Sequence, residues 1–329
     1  MVLTTEELYR KIEDAPLRGI GDYHSVSFRA MGTSCEMLFS ARSRAAANEF
    51  KQAAFRWLSE FEAKYSRFID SSLISEINRS SGERWVEIDG PTDELLSLCD
   101  WYHWMTCGVF DPTALPLLLL WDYHKNLQVL PTDAEINKAK ALVGWGKVQR
   151  AGGKVFLPEP GMKLDIGGIG KEYAVDQIVN LALASGIENV LVDFGRDLRV
   201  HGQPPEKGAW RIGLEHPDAP GQCWCGVAQN EGAVCTSGDY ARFIEVDGKR
   251  YGHIIDPRSG YPVHNGCKAA TVLAPTCTEA GMLATTSFIL GAEQGLELLS
   301  RNFSAEGCIW TEQGVFETRG FRRYVIEKK

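Results

Sequence analysis

Apolar residues recur at helical spacing in the first half of the chain. Residues 43–65 carry such residues on one helical face, which predicts an amphipathic helix. That face consists of Phe50, Ala54, Trp57, Leu58, Phe61 and Tyr65. Shorter helices are predicted at 5–13, at 93–105 with Thr92 as N-cap, and from a capping box at Thr132 and Glu135 to about residue 142.

Strand patterns dominate the second half. Short strands are predicted at 154–157 and 190–192, with a helix over 171–185 between them, in addition to an early strand pair over 25–40. Longer strands over 233–248 and 250–255 are joined at Asp247-Gly248, a strong hairpin signal. Helices at 278–290 and 293–300 and a hairpin over 308–318 follow. Helices early and strands later favour an α+β fold over a doubly wound sheet.

Composition narrows the class of protein. A net charge of −8 and a pI near 5.5 argue against a nucleic-acid partner, which needs a basic face. Nine cysteines without a C-x-x-C pair predict reduced, mostly buried thiols rather than a zinc site. No apolar run is long enough for a membrane span, and residues 1–24 lack the apolar core of a signal peptide, so a cytoplasmic protein is expected.

A glycine-rich segment follows a short strand. Gly167, Gly168 and Gly170 precede Lys171 and Glu172 at the start of the predicted helix. Bare glycines and helix amides can approach an anion, and the lysine adds a cation. The segment matches neither G-x-G-x-x-G nor a P-loop, so a tight turn with a surface lysine is the alternative to a phosphate site.

Three further segments concentrate polar groups. Residues 193–197 (DFGRD) follow a predicted strand and are either a turn or part of a site. Residues 236–240 (TSGDY) and 253–262 (HIIDPRSGYP) contain groups that bind, transfer protons or form turns. His253 suits acid–base work near neutrality but is equally consistent with a structural histidine. Thr285 and Thr286 lie within an apolar helix, where threonines usually hydrogen bond the preceding turn.

Taken in order, these segments resemble the FAD:protein FMN transferase (ApbE-like) family. The resemblance begins at residues 31–33 (MGT) and covers 66–68 (SRF), 72–78, 108–113 (GVFDPT), the glycine segment, 195–197 (GRD), TSGDY, HIIDPRSGYP and the closing helix. It spans about residues 25–320, which gives a 1–24 extension and a 25–329 family domain. Each motif is weak alone, whereas the ordered set is specific.

The resemblance implies an α+β, T-fold-related architecture of antiparallel sheets packed with helices, with an FAD-binding cleft. Members move FMN from FAD onto a threonine hydroxyl of a target protein and release AMP, assisted by Mg²⁺. The expected cofactors are therefore FAD and Mg²⁺, and the expected partner is a protein with a threonine-containing flavinylation motif.

Site residues carried over from the family fall into three groups. The catalytic group is His253, Asp256 and Lys171. The cofactor-binding group is Met31, Phe68, Asp111, Gly167, Gly168, Lys171, Glu172, Thr236, Ser237, Asp239, His253 and Ile254. The metal group is the Gly168 carbonyl, Thr285 and position 281.

Position 281 departs from the family pattern. The usual closing helix has an Asp four residues before the metal-ligating Thr, and here that residue is Gly281. Since Mg²⁺ prefers at least one carboxylate, the departure predicts weakened metal binding. Glu172 stands in place of a common Gly, Arg196 of a usual Gly and Asp193 of a usual Asn. A non-catalytic FAD-binding protein and an FAD pyrophosphatase giving FMN and AMP remain alternatives.

Overall fold

The computed structural model describes residues 3–122, 127, 129–238 and 243–326. Its helices, in chain order, are α1 Thr5–Ile12, α2 Arg44–Tyr65, α3 Leu73–Arg79, α4 Gly90–Met105, α5 Leu115–Leu120, α6 Asp133–Ala141, α7 Gly170–Ala184, α8 Cys277–Leu290 and α9 Ala292–Arg301. Its strands are β1 Arg18–Ile20, β2 Tyr23–Ala30, β3 Thr33–Ser40, β4 Val86–Glu87, β5 Gln149–Ala151, β6 Lys154–Phe156, β7 Val190–Phe194, β8 Asp197–His201, β9 Trp210–His216, β10 Ala219–Gln229, β11 Glu231–Gly238, β12 Phe243–Val246, β13 Lys249–Gly252, β14 Ile255–Asp256, β15 Tyr261–Pro262, β16 Cys267–Ala274, β17 Glu306–Thr311, β18 Gly314–Glu317 and β19 Val325–Ile326.

The chain forms two compact units that alternate along the sequence. The first unit consists of Lys64–Gly168 and Gly238–Gly266, and the second of Leu3–Ala63, Ile169–Ser237 and Cys267–Lys329. The glycine segment is therefore divided, with Gly168 in the first unit and Ile169 in the second.

The second unit contains a large sheet. Its strand order is β1-β2-β3-β7-β8-β11-β16-β17-β18. The pairs β2–β3, β3–β7, β7–β8, β8–β11 and β16–β17 are antiparallel. A three-stranded sheet, β19-β10-β9, belongs to the same unit, and its Trp210 and Leu214 pack with Val200 and Phe321. The predicted strand pair over 25–40 and the closing hairpin are confirmed.

The first unit contains short sheets and four of the helices. Its sheets are β4-β6-β5, β12-β13 and β14-β15. Leu117, Trp121, Ile136 and Ile255 form part of a buried apolar cluster, and the Trp121 indole donates a 2.9 Å hydrogen bond to the Gly260 carbonyl. The capping box of Thr132 and Glu135 at the start of α6 is confirmed.

Two predictions about secondary structure are wrong. The single strand expected over 233–248 is two strands, because β11 pairs within the large sheet while β12 pairs with β13. Gly238 and the polar residues near it have low strand propensity. The predicted N-cap Thr92 lies inside α4, which begins at Gly90 with Asp89 as its cap. Pro91 fits the first turn of a helix, where its missing N–H has no intrahelical acceptor.

Burial of the thiols agrees with the sequence. Cys35, Cys99, Cys235, Cys267, Cys277 and Cys308 are buried, and all nine cysteines are free. Within the described ranges, no helix is long and apolar enough to cross a membrane.

Asp89 provides a test of the α4 cap. Its carboxylate accepts the Thr92 N–H at 3.1 Å and pairs with the Lys64 ammonium. Asp89→Ala is expected to lower the free energy of unfolding by about 1 kcal/mol, while Asp89→Asn retains the capping oxygen and costs less. Urea denaturation of the three proteins measures the difference.

The same carboxylate gives a pH dependence. Hydrogen bonds from Lys64 and Thr92 lower the pKa of Asp89 to about 2. Because the folded-state pKa is depressed, the stabilisation is complete above the ordinary carboxylate range and is lost as pH falls towards 2. The stability gap between wild type and Asp89→Asn should shrink over that interval. A constant gap would contradict the assigned ion pair.

Candidate active site

A buried ion cluster surrounds the Lys171 ammonium in the second unit. Its Nζ pairs with Asp197 and lies 3.1 Å from Glu172 Oε1. Burial acts to lower the pKa of Lys171, but the Glu172 carboxylate and further neighbours outweigh burial, so the net shift is upward. The lysine is therefore a fixed cation at the first turn of α7, and Ile169 at the N-cap position gives that helix no side-chain cap.

Glu172 lies directly against Gly281. A Cβ built on Gly281 would be 2.5 Å from Glu172 Cγ, closer than Cβ atoms approach other atoms in proteins, and 3.2 Å from its Cδ, a tight contact. Glu172 is only 8 % exposed. The space that a side chain at position 281 would use is thus filled by the Glu172 side chain from α7.

Asp176 explains why α7 and α8 meet in this way. It lies one helical turn after Glu172 and accepts the Cys277 N–H and the Thr278 N–H, each at 2.8 Å. Arg199 Nη1 donates to the same carboxylate at 3.0 Å. Asp176 therefore joins α7, the first turn of α8 and β8, and it fixes the α8 face that meets Glu172.

Sequence reasoning missed this role of Asp176 and the role of Asp197. Asp176 lies in the predicted helix over 171–185 and Asp197 in the DFGRD segment, but neither was a candidate site residue. The spacing of Glu172 and Asp176 was a usable signal, because residues four apart share a helical face.

Hydroxyl groups lie beside the ion cluster. Thr236 N donates to Asp197 Oδ1 at 3.3 Å, and its hydroxyl is 2.9 Å from that of Thr271. The hydroxyls of Ser237 and Thr285 are 2.7 Å apart, which links β11 to α8. The predicted residues Lys171, Glu172, Thr236, Ser237, Gly281 and Thr285 thus all occur in the second unit.

The part of the glycine segment in the first unit is held by Asp165. This carboxylate accepts the Gly167 N–H at 2.8 Å and pairs with Arg67 Nε at 2.9 Å. At Gly168, a Cβ would contact the Phe110 ring at 3.6 Å. The Asp165 contacts, both made within the first unit, fix the backbone conformation around Gly167.

Phe68 and Asp111 differ in what they offer a ligand. The Phe68 side chain is 65 % exposed, and the Arg67 guanidinium stacks over its ring at 4.1 Å. The Asp111 side chain is 6 % exposed and already accepts hydrogen bonds from Thr113 N at 2.8 Å and Trp145 N at 3.0 Å. Its oxygens organise the loop, whereas Phe68 presents a free aromatic face.

The HIIDPRSGYP segment also lies in the first unit. His253 and Ile254 are half-buried. Asp256 receives Arg258 Nε at 2.9 Å and Nη2 at 2.8 Å, a forked pair that raises the pKa of Arg258. The candidate Asp239 lies outside the described residues.

Met31 stands at a tight turn in the second unit. Its φ is +50°, and its N–H donates to Glu62 Oε2 at 3.0 Å. The adjoining cavity, of about 170 Å³, is lined by Met31, Thr33 and Glu62, among others. Drug-sized ligands need roughly 300 Å³ or more, so this cavity by itself is too small for a flavin dinucleotide.

The donor set bears on the expected metal. Over residues 3–122, 127, 129–238 and 243–326 there is no group of three or more His, Cys, Asp or Glu side chains that could hold an ion. A metal ion bound by these residues would therefore be coordinated by a single carboxylate together with hydroxyl, carbonyl or ligand oxygens.

Comparison with known proteins agrees with the motif order and the fold. The model of the ApbE family matches residues 31–309. The chain belongs to the ApbE family. FAD:protein FMN transferases of Vibrio cholerae and Treponema pallidum are each 30 % identical to it, over 75 % and 82 % of this chain and 75 % and 79 % of theirs.

Solved ApbE structures confirm the predicted α+β fold. The ApbE protein of Thermotoga maritima has a TM-score of 0.84 and 31 % identity, over 93 % of this chain and all of that one. The flavin transferase ApbE of V. cholerae has a TM-score of 0.80 and 26 % identity, over 94 % of this chain and all of that one.

The contact between Glu172 and Gly281 predicts a change of sign in a mutant cycle. Gly281→Ala in the wild-type background is expected to cost about 1–3 kcal/mol, because the methyl group overlaps Glu172 Cγ. In a Glu172→Ala background the same change should stabilise by up to about 1 kcal/mol, since alanine is the better helix former. Chemical denaturation of the four proteins measures the coupling, and additive effects would contradict the contact.

Proposed function

We propose that this protein transfers the FMN moiety of FAD to a threonine hydroxyl of a target protein and releases AMP, with Mg²⁺ as the assisting ion. The observation that carries the proposal is the half-buried Lys171 cation at the start of α7, held by the buried Asp197 carboxylate, within a chain whose relatives are named FAD:protein FMN transferase. In the reaction, the threonine oxygen bonds to the FMN phosphorus, the pyrophosphate P–O bond breaks, AMP leaves with the bridging oxygen, and the threonine proton passes to a base.

The Lys171 ammonium and the start of α7 support the binding of a phosphate. The ammonium is fixed by Asp197 and Glu172, so little conformational entropy is lost when an anion contacts it. The uncapped amides of α7 add positive potential in the same unit. Both features suit a group whose negative charge rises as the P–O bond breaks.

Groups in the first unit suit the binding of an aromatic ring and the transfer of a proton. The exposed Phe68 ring can stack on an isoalloxazine or adenine ring. His253 is the proposed general base for the threonine proton, because a histidine changes charge near neutral pH. The Arg258 fork occupies both Asp256 oxygens, so the proposed role of Asp256 is to orient neighbouring groups rather than to carry the proton.

The oxygen donors in the second unit fit a magnesium ion. Glu172, Thr285 and Ser237 provide a carboxylate and two hydroxyls, and Gly281 leaves room for the carboxylate. When bound, Mg²⁺ neutralises phosphate charge and polarises the scissile bond. The sequence-based expectation that Gly281 removes the carboxylate from this region is therefore not a reason to propose an inactive protein.

A direct assay tests the proposed function. Purified protein is incubated with FAD, Mg²⁺ and a threonine-containing acceptor peptide, with Thr→Ala and Thr→Val peptides as matched controls, and the products are followed by chromatography and mass spectrometry. The expected result is AMP and FMN-modified peptide in equal amounts, from the threonine peptide only. AMP and free FMN without peptide modification would identify a pyrophosphatase, and intact bound FAD would identify a binding protein.

Lys171 provides a second test. Lys171→Ala should weaken FAD binding about tenfold to a hundredfold, the loss of a charged hydrogen bond to phosphate, and should leave riboflavin binding nearly unchanged. Flavin fluorescence titrations measure both affinities. Lys138→Ala, at an exposed position of α6, is the matched control. Equal losses for the two ligands would remove Lys171 from the phosphate site.

A further inference from the structure

The Glu172 carboxylate has an unused buried oxygen. Its Oε1 lies 3.1 Å from Lys171 Nζ, but Oε2 is buried and accepts no hydrogen bond from the described residues. Buried polar atoms without partners are rare, because desolvation of such an atom is not compensated. A buried carboxylate oxygen in this condition indicates a missing partner.

The local charge favours a cation as that partner. One ammonium, that of Lys171, lies between the carboxylates of Glu172 and Asp197, which leaves one net negative charge. The nearby Cys235 and Cys277 thiols remain neutral, since burial raises the pKa of each. Asp176 is neutralised by Arg199 and does not change this balance.

Thr285 places a hydroxyl oxygen on the face of α8 that meets Glu172. Gly281, which abuts Glu172, and Thr285 are one turn apart on α8 and therefore share a face. The Thr285 hydroxyl is joined to the Ser237 hydroxyl at 2.7 Å. A carboxylate with hydroxyl oxygens suits Mg²⁺ or Mn²⁺, which complete their shells with water and substrate phosphate.

We propose that Glu172 on α7 provides the carboxylate ligand of a divalent cation site with Thr285, and that the pair Glu172 and Gly281 relocates this carboxylate from α8 to α7. The proposal rests on the proposed function for the identity of the ion. It follows from the overlap at Gly281, where no second side chain fits while Glu172 is present. Gly281→Asp alone is thus expected to disturb packing rather than to tighten metal binding.

The test is metal affinity of the flavin-free protein, measured by electron paramagnetic resonance titration with Mn²⁺ alone. Glu172→Gln keeps the shape and removes the charge, and it should weaken Mn²⁺ binding about tenfold or more. Glu279→Gln is the matched control, because Glu279 lies in the first turn of α8 and bonds Ser304 at 2.6 Å. Its Mn²⁺ affinity should equal that of wild type.

An exchange of the two residues gives the decisive variant. Glu172→Gly with Gly281→Asp should fold and recover Mn²⁺ affinity to within a few-fold of wild type, whereas Glu172→Gly alone should not. Unchanged affinity in Glu172→Gln, a folded exchange variant without Mn²⁺ binding, or no saturable Mn²⁺ binding by wild type with or without FAD would each overturn the proposal. If Glu172→Gln does not fold, the exchange variant decides alone.

The outcome is separable from that of the proposed function. Glu172-dependent Mn²⁺ binding without FAD cleavage would refute the transferase and retain the cation site. Metal-dependent transfer with Mn²⁺ affinity independent of Glu172 would retain the transferase and overturn the site.

Discussion

The buried carboxylate of Asp176 is the interaction on which the candidate site depends. It accepts the Cys277 and Thr278 amides at the start of α8 and pairs with Arg199 of β8. Removal of one partner from a buried ion pair typically costs about 3–5 kcal/mol, so loss of this carboxylate is expected to destabilise the junction. Because the amides that begin α8 are attached to α7, the next turn of α8 presents Gly281 to Glu172. The ion cluster and the hydroxyl pair are built on that geometry.

At the junction of α7 and α8, the side chain that Gly281 lacks is matched in space by the charged side chain of Glu172. A glycine inside a helix normally costs about 1 kcal/mol relative to alanine. At position 281 it makes room for a carboxylate that belongs to another helix. Lys171 partly neutralises that carboxylate, so its burial is tolerated while one oxygen remains available. In the sequence, glycine at position 281 suggests that a metal-binding carboxylate is missing from α8. In the structure, the Glu172 side chain of α7 occupies the space beside that position.

Local interactions explain which elements could be predicted. The α6 capping box and the Asp247-Gly248 hairpin involve residues a few positions apart, and both agree with the sequence. Strands β9 and β10 were not predicted, although apolar Trp210, Ile212 and Leu214 alternate in β9. Strand β10 has a register shift between Cys223 and Cys225, which interrupts its alternation. The start of α4 was misplaced because both Asp89 and Thr92 are acceptable caps, and buried Thr92 instead hydrogen bonds Tyr65.

The sequence by itself determined the family, the α+β class and most of the candidate residues, because ordered motifs and local periodicity survive without coordinates. It could not decide that Asp111 and Asp256 are occupied by hydrogen bonds within the first unit, nor that Asp176 and Asp197 organise the second. It also could not reveal that Glu172 fills the space at Gly281, since the two are 109 positions apart. Such pairings arise only when helices pack, because steric overlap and unpaired charge are properties of distance in space and not of distance along the chain.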